Sequence, residues 1–125
     1  FLDVNLVFSR EFQVYLLEMD SLTSYTYDRT KAAYEFYLDG IEKALSVSDF
    51  IVGDNLTIAD ISYVCEISQF LREARYEKQL HEINQKPISS EFQTKYPLSF
   101  SHMKTLSKKK EFIEIMGSYL DWYKM

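Results

Sequence analysis

The apolar residues of this chain recur at steps of three and four and do not alternate, and only three glycines and two prolines interrupt them in 125 residues. That spacing gathers side chains on one face of a helix, whereas on a strand it would scatter them over both faces. The chain is therefore expected to be all-α. At 46% apolar composition and this length, one domain over residues 1–125 can bury a core without disulfides or metal.

The most informative stretch runs from Gly53 to Tyr63, GDNLTIADISY. Gly53, Asp54 and Asn55 supply a turn. Thr57 is placed to be an N-cap, its hydroxyl accepting from the first helical turn, and Asp60 stands where its carboxylate reaches back to the Thr57 amide. Together they form a capping box, with Leu56 and Ile61 at the spacing of a hydrophobic staple. The helix that follows, with Ile61, Val64, Cys65, Ser68 and Leu71 as its buried face, has little polar circumference before Arg72 and reads as central.

Around it, Phe1, Val4, Phe8, Phe12, Tyr15 and Met19 make a first amphipathic helix to about residue 20. Thr26 or Asp28 could cap a second, whose stripe is Tyr34, Leu38, Ile41 and Leu45; Gly40 beside it suggests close approach of another helix. Residues 77–95 are polar and interrupted by Pro87, and read as a fraying helix end and a surface connection. A fourth helix starts at Pro97 and carries Phe100, Met103 and Leu106. A fifth runs from about Lys108 to Met116, where Gly117 stops it. The aromatic tail containing Tyr119, Trp122 and Tyr123 must pack back on the bundle or meet a partner.

Fourteen basic against nineteen acidic residues leave a formal charge of −5, which argues against nucleic acid or an anionic membrane as the main partner. The run Lys108 to Lys110 reads as solvated surface, and so do Ser9 and Arg10, ahead of the alternative that they touch a ligand or a second copy. No apolar stretch approaches about 18 residues, so no membrane span is expected. The single cysteine excludes an internal disulfide and fits a reducing, cytoplasmic setting. On the apolar face of the central helix, Cys65 reads as an inert core thiol. His81 and His102 lack zinc-ligand spacing, and no metal is expected.

The stretch FIVGDNLTIADIS (Phe50 to Ser62), followed by KYPLSFSHMKTLSKKKEFIEI (Lys95 to Ile115), resembles the C-terminal helical domain of the cytosolic glutathione transferase superfamily. The likeness covers nearly the whole chain, and its helix order is similar to theta-like, delta-like and bacterial members, leaving the class unresolved. The resemblance implies a bundle of about five helices around the capped one. His102 stands where many members have tryptophan and Lys110 where proline is common.

What the resemblance implies for function is a division of labour. An N-terminal thioredoxin-like domain, absent from this chain, would hold glutathione as co-substrate and activate its thiol. This half would wall the pocket for a hydrophobic electrophile, with Phe8, Phe12, Tyr15 and Trp122 as its expected lining. No catalytic residue is expected here, Thr57 and Asp60 being structural. Family members conjugate glutathione in detoxification and pair as homodimers. The alternative is a non-catalytic interaction module of the kind attached to elongation-factor gamma subunits and some tRNA synthetases.

Overall fold

A computed structural model describes residues 23–117 together with Arg10, Val14 and Met19. Every regular element among the described residues is helical, with no strand among them. Numbered from the first fully described helix, α1 is Ser24–Leu45, α2 Ile58–Leu71, α3 Glu77–Glu82, α4 Phe92–Lys95, α5 Pro97–Leu106 and α6 Lys110–Met116; short 3-10 turns occupy Arg72–Tyr76 and Ile88–Glu91.

Helix α1 starts earlier than expected from its sequence. Thr23, extended before the first turn, accepts the Thr26 amide through its hydroxyl, so the cap is neither Thr26 nor Asp28. Thr30, Tyr34, Leu38 and Ile41 then face inward, every three or four residues. Gly40 is exposed, and none of the described residues lies within 4 Å of where its Cβ would be. Among the described residues no helix makes the close approach suggested for it.

The principal core joins Tyr34, Leu38 and Ile41 of α1 to Tyr63, Val64, Ile67 and Phe70 of α2, then to Phe92, Tyr96, Met103, Leu106 and Phe112 further along. Helix α2 is central as expected, but its inward face is turned relative to the expected one. Asp60, Tyr63, Val64, Ile67, Ser68 and Phe70 are buried, whereas Ile61 and Cys65 are exposed. The Cys65 core assignment is therefore corrected. Both faces of this helix are apolar, so periodicity left its rotation undetermined, and the large side chains Tyr63 and Phe70 went inside.

Helix α5 shows tertiary capping. Pro97 opens it, and Tyr96 before it offers no side-chain cap. Instead Glu42 of α1 accepts from the amides of Leu98 (2.9 Å) and Ser99 (2.8 Å) and from the Ser99 hydroxyl (2.6 Å). A carboxylate at a helix N-terminus satisfies orphan donors and complements the helix dipole. Tyr63 fastens the same turn by donating to the Ser99 carbonyl at 2.7 Å. Burial, then the neighbouring Tyr34, Tyr37 and Glu42, push the Tyr63 hydroxyl well above its ordinary pKa, so it stays a donor.

Residues 77–95 are not a surface connection. Leu80, Gln85, Ile88 and Phe92 are buried, Ile88 and Phe92 in the principal core, and a buried ion pair anchors the segment. Arg10 is 1% exposed, so its solvated reading is corrected. Its Nε and Nη2 donate to the two carboxylate oxygens of Glu73 at 2.5 and 2.8 Å, its Nη1 donates to Gln85 at 3.1 Å, and its guanidinium stacks 5.0 Å from the Tyr27 ring centre. Glu73 also accepts the Ile88 amide at 2.9 Å. The carboxylate thus folds the chain between residues 73 and 88 into a loop against Arg10. Val14 and Leu80 form a small second core nearby.

Breaking one partner of a buried pair leaves an uncompensated charge. Glu73→Ala is expected to cost about 3 to 5 kcal/mol of unfolding free energy. Arg10→Met combined with Glu73→Leu should recover part of that loss, with the Ile88 amide still lacking its acceptor. Denaturant titration of the three proteins measures both effects.

Candidate functional site

The capping box forms as its sequence requires. Thr57 is extended (φ −128°, ψ 178°) and its hydroxyl accepts the Ala59 amide at 3.2 Å, while Asp60 Oδ2 accepts the Thr57 amide at 2.8 Å. Asp60 does more than close this box. Its Oδ1 accepts the Ile51 amide at 3.2 Å and lies 2.8 Å from His102 Nε2 on α5. One carboxylate therefore joins the start of α2, the preceding loop and a helix 42 residues away.

Burial by itself would raise the Asp60 carboxyl. The Thr57 amide, the His102 ring and the Ile51 amide oppose that and leave it below the ordinary aspartate value, ionised and accepting. His102 Nε2 is accordingly the donor. The ring is packed by Phe50, edge-on at 6.0 Å, and by Tyr63 at 6.0 Å.

Two clefts flank this junction. One, of about 440 Å³ and mixed lining, is bordered by His102, Asp49, Ser101, Thr105 and Lys109 together with Leu45, Phe50, Leu98 and Leu106. The other, also about 440 Å³, lies between α2 and α6, lined by Leu56, Ile61, Cys65, Phe112, Ile115 and Met116 with Lys109 and Glu111 at its rim. The staple residues thus share a groove, yet remain 38% and 40% exposed. The apolar surface continues outward through Ile58 (75% exposed) and Ile115 (86%). A patch this open suits a macromolecular face, since small-molecule pockets enclose most of their ligand.

Among the expected site residues, Thr57 and Asp60 are brought together. Phe8, Phe12, Tyr15 and Trp122 lie outside the described residues, as does Ser9. The role of His102 was not foreseen: its partner is remote in sequence, and the only signal was an imidazole where the resembled family often has an indole. Among the described residues no three His, Cys, Asp or Glu side chains are grouped to hold a metal ion, and no helix is long and apolar enough to cross a membrane.

An all-helical set of regular elements among the described residues, with a capped central helix, an α5 begun by Tyr-Pro and α6 closing over the core, defines a glutathione-transferase-like helical domain. The family model for the glutathione S-transferase C-terminal domain matches residues 14–109, and the chain belongs to that family. No curated protein and no solved structure matches it.

Thr57→Ala is expected to lower stability by about 1 to 2 kcal/mol. Asp60→Ala should cost more, because it orphans the Thr57 and Ile51 amides and the His102 ring, at about 1 to 3 kcal/mol for each buried donor left without a partner. Because the folded Asp60 pKa is depressed, its contribution is complete above the unfolded value and is lost as pH falls through the folded one. Urea titrations from about pH 5 downward should therefore show the parent chain losing stability more steeply than Asp60→Asn.

Proposed function

We propose that this chain is the helical, electrophile-facing half of a glutathione transferase acting in cytoplasmic detoxification as a homodimer. The observation that carries this reading is the family match over residues 14–109, and the open apolar face between α2 and α6 supports it. On this reading a thioredoxin-like companion domain ahead of Phe1 covers that face and holds glutathione. The sulfur, as thiolate, attacks the electrophile's carbon and displaces its leaving group or adds across its double bond. Protein from this half contributes position and exclusion of water. Phe8, Phe12, Tyr15 and Trp122 are the proposed wall against the apolar part of the electrophile.

The chemistry of the described residues is consistent with that division. Their polar clusters are occupied in holding helices together: Asp60 with His102, Glu42 with the start of α5, and Arg10 with Glu73. Thiol activation is assigned to the companion.

The test compares the 125-residue chain with the same chain joined to its companion. Calorimetry should show no appreciable glutathione binding by the chain alone and binding by the joined protein; tight binding by the chain alone would contradict the division of labour. Cys65, exposed on the chain alone, should react readily with a maleimide and become protected when the companion is attached. Cys65 remaining equally reactive in the joined protein would remove the companion from this face. A synthetase or translation-factor segment found ahead of Phe1, in place of a thioredoxin-like one, would make the domain an assembly module.

A further inference from the structure

The cleft beside His102 draws its lining from three places: the end of α1 with the loop after it, α5, and Lys109 just ahead of α6. Its wall is held from behind. Asp60 fixes both the His102 ring and the Ile51 amide next to Phe50, and the Ser48 hydroxyl closes the loop by donating to the Gly53 carbonyl at 2.6 Å. At about 440 Å³ the cleft has the size of small-molecule sites. A wall fixed before binding also saves the cost of ordering it.

Three polar groups of this lining are left over from the assembly of the helices. Asp49 and Lys109 are both exposed, and neither forms an ion pair with the other or with any further described residue. The third is Nδ1 of His102. Nε2 donates to the ionised Asp60, so in the neutral ring Nδ1 is an acceptor, and no described residue donates to it. The remaining surface is largely apolar. Phe50 stands edge-on to the His102 ring at 6.0 Å, and Leu98 is 43% exposed.

We propose that this cleft binds a small zwitterion with an apolar body, an apolar amino acid or dipeptide. The ammonium group donates to Asp49 and to Nδ1 of His102, the carboxylate pairs with Lys109, and the apolar body lies against Phe50 and Leu98. Opposite charges that line one cleft without pairing with each other complement a ligand carrying both signs. A purely anionic ligand would meet the like charge of Asp49, and a purely cationic one that of Lys109. An uncharged ligand would cover both charges and pair with neither. Because Asp49 and Lys109 stay in contact with water, the dissociation constant is on the order of 1 mM. The site shares only Lys109 with the groove between α2 and α6, so it stands apart from the reading of that groove given above.

Heteronuclear NMR titration of the 125-residue chain with L-phenylalanine and with leucyl-phenylalanine, at about pH 7 and so above the ordinary imidazole pKa, tests the site. Saturable shifts are expected at the amides of Asp49, Phe50 and Ser101 and at the His102 ring nitrogens, while the exposed His81 ring stays unmoved. Saturation by either ligand supports the site, and the tighter of the two sets the ligand's length. Phenylpropionate, without the ammonium group, and phenethylamine, without the carboxylate, should bind about tenfold more weakly or worse. Asp49→Asn should weaken L-phenylalanine by a similar factor and improve phenylpropionate, and Lys109→Gln should do the same in favour of phenethylamine. Asp54→Asn and Lys108→Gln, exposed and outside the cleft, should change nothing. All four substitutions are at exposed positions, and unchanged thermal melts confirm that folding is intact. No saturable shift with either ligand, shifts that spare His102, or equal losses at the two control positions overturn the proposal. None of these results touches the transferase reading, which the joined protein's glutathione binding decides.

Discussion

One carboxylate sets the frame of this domain. Asp60 is fully buried, and it remains charged because the Thr57 and Ile51 amides and the His102 ring surround it with donors. A charge in that position is costly unless every oxygen is satisfied. The satisfying groups come from α2, the loop before it and α5, so the carboxylate fixes where the central helix starts and how the later helix lies against it. The core then closes around α2, with Tyr34, Leu38 and Ile41 on one side and Met103, Leu106 and Phe112 on the other.

The same device recurs twice, each time with a carboxylate far in sequence from its donors. Glu42 caps α5 from α1, and Glu73 gathers Arg10 and the Ile88 amide. These three carboxylates thus serve assembly of the helices. Between α2 and α6 lies an irregular groove fit for another domain.

Much of the fold was legible in the amino-acid order. Helical class, the capping box at Thr57 and Asp60, the start of α5 at Pro97 and the stop of α6 at Gly117, whose φ of 43° suits glycine, all rest on contacts within a few residues. The candidate site was legible only in its scaffold. Cys65 was placed on the wrong side because α2 is apolar on both faces, and Arg10 was read as surface because its partner lies 63 residues away.

Local order therefore determined that the chain is helical, where its central helix begins and which residues break it, because caps, turns and periodicity act over a single helical turn. Tertiary structure decided which face of α2 looks inward, that residues 77–95 fold into the body, and that Arg10, Asp60 and His102 are buried partners. Those outcomes depend on charges and donors meeting across dozens of residues, where desolvation is offset only by a partner that folding itself delivers.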